Sequence, residues 1–76
     1  MLERQKYEFF RSELKKARLS SGLLQKDVAT SLHRPQSYIS KIESGERSMD
    51  VVEFINYCQA IGIDSAKFIK KVADKF

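Results

Sequence analysis

This chain of 76 residues has one cysteine, one histidine and one proline, and each scarcity removes a class of function. Cys58, alone, cannot close an internal disulfide, and no second thiol stands at metal-ligand spacing. A reducing compartment, the cytoplasm, is the expected setting. His33 has no Cys, His or acid at ligand spacing around it, so neither a metal site nor histidine-based catalysis is expected. Paired acids, a nucleophile beside a base and a phosphate-binding loop are missing as well. An enzyme is therefore the poorest fit, and neither a cofactor nor a small-molecule ligand is expected. Long apolar runs are absent too. The opening residues, MLERQKYEFF, carry charges where a signal peptide needs an apolar core. No stretch approaches the roughly 20 apolar residues of a membrane span.

What remains is a small chain that can still fold. Hydrophobic residues make up 42%, enough for a core and too many for a disordered tail. The length suits one domain over residues 1–76, with a core so small that self-association would help it. The formal net charge of +4 tilts the protein toward polyanions without identifying one.

The apolar spacing is helical throughout, and no alternating run supports a strand. Tyr7, Phe10, Leu14 and Ala17 mark a first helix over about residues 3 to 20, with Gly22 as the left-handed residue after its end. A second helix is expected over about 25 to 32 and a third over about 36 to 43, closed by Ser44-Gly45. Asp50 and Glu53 form a capping-box start for a fourth, whose apolar face reads Val51, Phe54, Ile55, Cys58 and Ile61 up to Gly62. Asp64 caps a fifth, over about 64 to 75, with Phe68, Ile69, Val72 and Phe76 on one face. That stripe exceeds what a terminal helix needs, so it either covers the first helix or supplies a dimer seam. Lys67, Lys70, Lys71 and Lys75 read as its solvated face, and Cys58 as core.

The most informative stretch is GLLQKDVATSLHRPQSYISKIESGER, from Gly22 to Arg47. Two short helical patterns meet at His33-Arg34-Pro35, where the proline biases Arg34 away from helix. Helices joined by so tight a turn cross steeply, and one can then lie over a phosphate backbone while the other enters a major groove. On the third helix, at about 100° per residue, Gln36, Ser37, Ser40, Lys41 and Ser44 share roughly 140° of arc, opposite Ile39 and Ile42. Amides, hydroxyls and a cation match base edges, whereas a face that serves only solvation more often alternates Glu with Lys.

Together Arg18, Gly22, Gln25, Val28-Ala29, Leu32, Gln36-Ser37, Ile39-Ser40, Ile42-Glu43 and Gly45 resemble the helix-turn-helix domain of the lambda repressor and Cro class, the XRE family. The likeness runs from about Leu14 to Ile63. It implies an all-α, five-helix, lambda repressor-like domain that binds double-stranded DNA as a homodimer on a palindromic operator.

Roles follow from the resemblance residue by residue. Gln36, Ser37 and Lys41 match the base-reading positions, with Gln36 suited to adenine, Lys41 to guanine and Ser40 a lesser candidate. Gln25 matches a phosphate-binding amide at a helix start. Arg47 and Ser48 match a loop that contacts the backbone, although Glu46 beside them would oppose a phosphate. Lys26 and Arg34 flank the motif as cations, and Arg34 stands within reach of a phosphate. Tyr38 has two readings, a hydroxyl on a phosphate or a partly buried ring. Arg18 and Glu43 match a structural ion pair that ties the first helix to the third. Three positions depart from the family: Leu24 replaces the usual Ser or Thr cap, His33 the usual turn glycine, and Arg34 a position that is often apolar.

The expected function is a sequence-specific transcription regulator, a repressor of the phage or restriction–modification-controller kind. The competing expectations are an antitoxin that represses its own operon and a protein-interaction module that has lost DNA binding.

Overall fold

The computed structural model describes residues 1–76 as five helices: α1 (Glu3–Ser20), α2 (Gln25–Ser31), α3 (Gln36–Ser44), α4 (Val51–Ile61) and α5 (Ser65–Ala73). They match the five helices of the sequence pattern to within a residue or two. The molecule measures 33 × 24 × 21 Å. No helix is long and apolar enough to cross a membrane.

Helix ends are set by the residues that local chemistry favours. Asp50 and Glu53 close a reciprocal box at the start of α4: Asp50 Oδ1 accepts from Glu53 N–H at 2.8 Å, and Glu53 Oε1 accepts from Asp50 N–H at 3.0 Å. Asp64 Oδ1 accepts from the Lys67 amide at 3.1 Å and starts α5. Beyond α2, His33 takes the left-handed position with φ of 55°, where glycine is usual. The Arg34 amide then donates back to the Ala29 carbonyl at 2.9 Å, closing α2 and aiming the chain at α3. Gly45 does the same after α3 at φ 89°. The left-handed backbone is what demands glycine there; a Cβ would also lie 2.7 Å from the Arg11 guanidinium carbon, the end of a flexible side chain that can move aside.

The start of α2 is only half capped. Asp27 Oδ2 accepts from the Leu24 amide at 2.8 Å, but the Leu24 side chain cannot return a bond. Leu24 is also largely exposed, so its replacement forfeits little burial. Leu24→Thr is expected to stabilise the fold by about 1 kcal/mol, which thermal melting would register as a rise of roughly 4–8 °C. An unchanged or lower melting temperature would place the helix start elsewhere.

The core is centred on Leu14, Val28, Ile39, Ile42, Tyr57 and Cys58, all essentially solvent-free. Two expectations about it need correction. On α4 the buried set is Phe54, Tyr57, Cys58 and Ile61, while Val51 is 68% and Ile55 38% exposed. Both sets fit helical spacing; the buried Glu43 carboxylate of α3 draws the face toward the Tyr57 hydroxyl (see below). On α1, Tyr7 is exposed and Phe9 instead packs partly against the core.

The stripe of α5 is divided. Phe68 and Val72 are buried, with the Phe68 ring 5.8 Å from Phe10 of α1 and 5.6 Å from Phe54 of α4. Ile69 and Phe76 stay about half exposed. Covering α1 therefore uses half of the stripe and leaves the other half open. Lys67, Lys70, Lys71 and Lys75 are exposed; Lys70 pairs with Asp74 at 3.2 Å and Lys71 with Glu13 at 3.7 Å.

Candidate nucleic-acid interface

Helix α3 buries Tyr38, Ile39 and Ile42 and turns Gln36, Ser37, Lys41 and Ser44 to solvent. Ser40 is half-buried, at the edge of that arc. Lys26 and Arg34 are exposed on the flanks, and neither they nor Lys41 has an acidic partner among the ion pairs of the molecule. The exposed surface of α3 is thus amide, hydroxyl and one unpaired ammonium, with further unpaired cations beside it.

The acid on this helix, Glu43, points inward. Its side chain is 4% exposed and faces Arg18, 5% exposed, from α1. Arg18 donates Nε–H to Oε2 at 2.7 Å and Nη2–H to Oε1 at 3.0 Å, a two-point pair. Tyr57 Oη of α4 donates to Oε2 at 2.8 Å, and Gln25 Nε2 of α2 donates to Oε1 at 3.1 Å. One carboxylate therefore gathers α1, α2, α3 and α4. Arg18 Nη1 reaches the Leu23 carbonyl at 2.8 Å and fixes the entry to α2 as well. No buried side-chain polar atom is left without a partner.

Burial pushes the Glu43 carboxyl upward, but the hydrogen bonds from Arg18, Tyr57 and Gln25 outweigh it and hold the group below its usual range. Burial together with the bond to Glu43 drives the Tyr57 phenol well up, so it stays a donor. Cys58 is buried, and that burial, with Asp64 adding to it, raises the thiol to about 11. It is an inert core side chain.

Gln25 sits at the start of α2 as the sequence suggests, but half-buried and already engaged with Glu43. Its Oε1 accepts from Gln36 Nε2 at 3.4 Å, a long bond that joins the first residues of α2 and α3.

Of the two readings of Tyr38, the structure has the buried ring, and the hydroxyl offered for a phosphate is already taken. The residue is 8% exposed, and its hydroxyl donates to Glu53 Oε2 at 3.1 Å. Arg34 and Arg47 each place their guanidinium carbon 4.7 Å from the ring centroid. Arg47 also donates to Glu53 Oε2 at 2.8 Å and to the Ser48 carbonyl at 3.1 Å. Arg47 and the Asp50 amide hold the Glu53 carboxyl down at about 2. Arg47 is thus partly committed, Ser48 lies exposed beside it, and Glu46 is exposed next to both.

Two functional side chains escaped the sequence reading. Tyr57 was legible as part of Phe54, Tyr57, Cys58 and Ile61, a set with i, i+3, i+4, i+7 spacing. The linking role of Glu53, which serves its helix cap, Tyr38 and Arg47 at once, had no signal beyond the cap.

Residues 14–68 match the family model described as helix-turn-helix. Over 97% of this chain and 90% of the other, the fold is similar to that of an XRE-family like protein from Pseudomonas syringae pv. tomato str. DC3000, with a TM-score of 0.93 and 36% identity. The clp gene regulator ClgR from C. glutamicum shares the fold at a TM-score of 0.79 and 20% identity, over 93% of this chain and 92% of that one. No curated protein matches the sequence. With the family model spanning α2 and α3 together with the core that holds them, the chain belongs to the XRE family of helix-turn-helix DNA-binding proteins.

Proposed function

We propose that this protein is a sequence-specific transcription regulator, a repressor, that acts in the cytoplasm as a homodimer on a palindromic operator. The observation that carries the reading is the exposed arc of Gln36, Ser37 and Lys41 on a helix whose only acid is buried and neutralised by Arg18. A polyanion approaching α3 meets donors and an ammonium, with no exposed carboxylate on the helix itself.

In this reading Gln36 pairs with adenine through its amide and Lys41 donates to guanine. Ser37 reads beside them, and Ser40 contributes from the edge. Gln25, Lys26, Arg34, Arg47 and Ser48 set the register through the backbone. Two copies fit half-sites one helical turn, about 34 Å, apart. The exposed apolar side chains Val51, Val52 and Ile55 on α4, Ile69 on α5 and Phe76 just past its end support self-association.

The test is selection of bound duplexes from a random pool at near-physiological salt. A palindrome with half-sites about ten base pairs apart is the expected outcome. Weak binding without consensus, lost as salt rises, would reduce the interface to general charge attraction. Salt-insensitive binding to a protein, with none to duplex, would replace the reading by an interaction module.

A further inference from the structure

Arg34 and Arg47 come from the two turns that flank α3, and the same ring meets both. Arg34 follows the left-handed His33 after α2, and Arg47 follows Gly45 after α3. Each guanidinium lies 4.7 Å from the Tyr38 centroid, within the range of cation–π attraction. The ring is buried and its hydroxyl is tied to Glu53, so it cannot swing away. Glu53 also holds Arg47, and its charge offsets the repulsion between the two cations. One positive charge is left over, on Arg34, which has no acidic partner anywhere in the protein.

We propose that Tyr38 is a positioning residue that holds Arg34 and Arg47 as a two-arginine clip for backbone phosphates beside the reading helix. A guanidinium held over a ring by cation–π attraction spends none of its N–H donors on the contact. All five donors of Arg34 remain free in this arrangement. Arg47 spends two nitrogens on Glu53 and Ser48 and keeps the rest. An arginine in a loop would ordinarily lose much rotamer freedom on meeting a phosphate; stacking on a fixed ring removes part of that cost beforehand. Tyr38 lies about one helical turn from Lys41 on α3, so the clip sits beside the reading arc.

The inference rests on the DNA-binding reading, and the experiment separates the two. Affinity is measured over a salt series for the selected duplex and for a random one, with the intact chain and five variants. Arg34→Ala changes an exposed side chain. It is expected to lower the slope of log K against log salt by about 0.9 and to weaken both duplexes by the same factor. Tyr38→Phe keeps the ring and is expected to retain the slope. Tyr38→Leu keeps buried apolar volume but loses the stack, and is expected to lower the slope as Arg34→Ala does. In an Arg34→Ala, Arg47→Ala background Tyr38→Leu is expected to add nothing, which a merely structural role would not reproduce. An unchanged slope for Arg34→Ala, with the intact chain bound steeply, would overturn the clip and leave DNA binding in place. No salt-dependent binding by the intact chain would overturn both.

Discussion

Glu43→Ala is expected to cost about 3–5 kcal/mol, a large share of the stability of a domain this size. The magnitude comes from what is left behind. Arg18 would keep its charge at 5% exposure with no acid to face. The hydroxyl of Tyr57, which is fully buried, would lose its acceptor. Gln25 would lose the bond that anchors its amide. Tyr57→Phe provides the scale: it removes one of four donors to the carboxylate while the pair survives, at about 1.5–3 kcal/mol.

Duplex affinity should move far less than the melting temperature. Glu43 is neutralised before any polyanion arrives, so deleting it adds little attraction at the surface. If Glu43→Ala melted with the parent and bound duplex more tightly, the acid would be acting at the surface and the four-helix junction would be wrong. The same junction explains why α3 can present a polar arc at all. A nine-residue helix is too short to be stable alone. Ile39 and Ile42 bury one side of it, and Glu43 ties its last turn to three other helices.

The sequence made the helices and their ends legible because both are local. Asp50 with Glu53, Asp64, and the glycines after α3 and α4 act through bonds within a few residues. The assignment of α3 was equally local, since Ile39 and Ile42 leave only one arc for Gln36, Ser37 and Lys41. What escaped is set by pairs distant in sequence. Val51 and Ile55 are as apolar as Phe54 and Ile61, so periodicity alone offered two faces for α4. The choice went to the face bearing Tyr57, through a carboxylate 14 residues earlier. Tyr38 was ambiguous for the same reason. Whether its hydroxyl met solvent depended on Glu53, 15 residues later and on another helix. Arg34 stood out as a departure from the family pattern, but its stacking on Tyr38 depends on the turn made by His33.

Phe68→Ala is expected to cost about 3–5 kcal/mol, and so to decide what α5 is for. Phe68 stands on a terminal helix, a place where truncation is often tolerated. Its ring nevertheless closes a triangle, 5.6 Å from Phe54 and 5.8 Å from Phe10, with Phe10 and Phe54 themselves 5.6 Å apart. Removing it leaves two aromatic pairs broken and a cavity between α1, α4 and α5 that the remaining rings cannot fill. Thermal melting should fall by more than roughly 10 °C. Phe76→Ala removes a ring of equal size that the sequence placed on the same stripe but that lies past the end of α5 at Ala73. Phe76 is half exposed, though, with the Lys6 ammonium 5.5 Å from its ring centroid. Its loss should change the stability of the single chain by only about 0.5 kcal/mol, as for other surface positions. The contrast assigns Phe68 and Val72 to the fold and leaves Ile69 and Phe76 outside it. Equal, small losses for both variants would mean that α5 frays from the domain and that α1 and α4 close the core without it. A Phe76→Ala chain that melts like its parent but has half the mass in solution would place the dimer seam on α5.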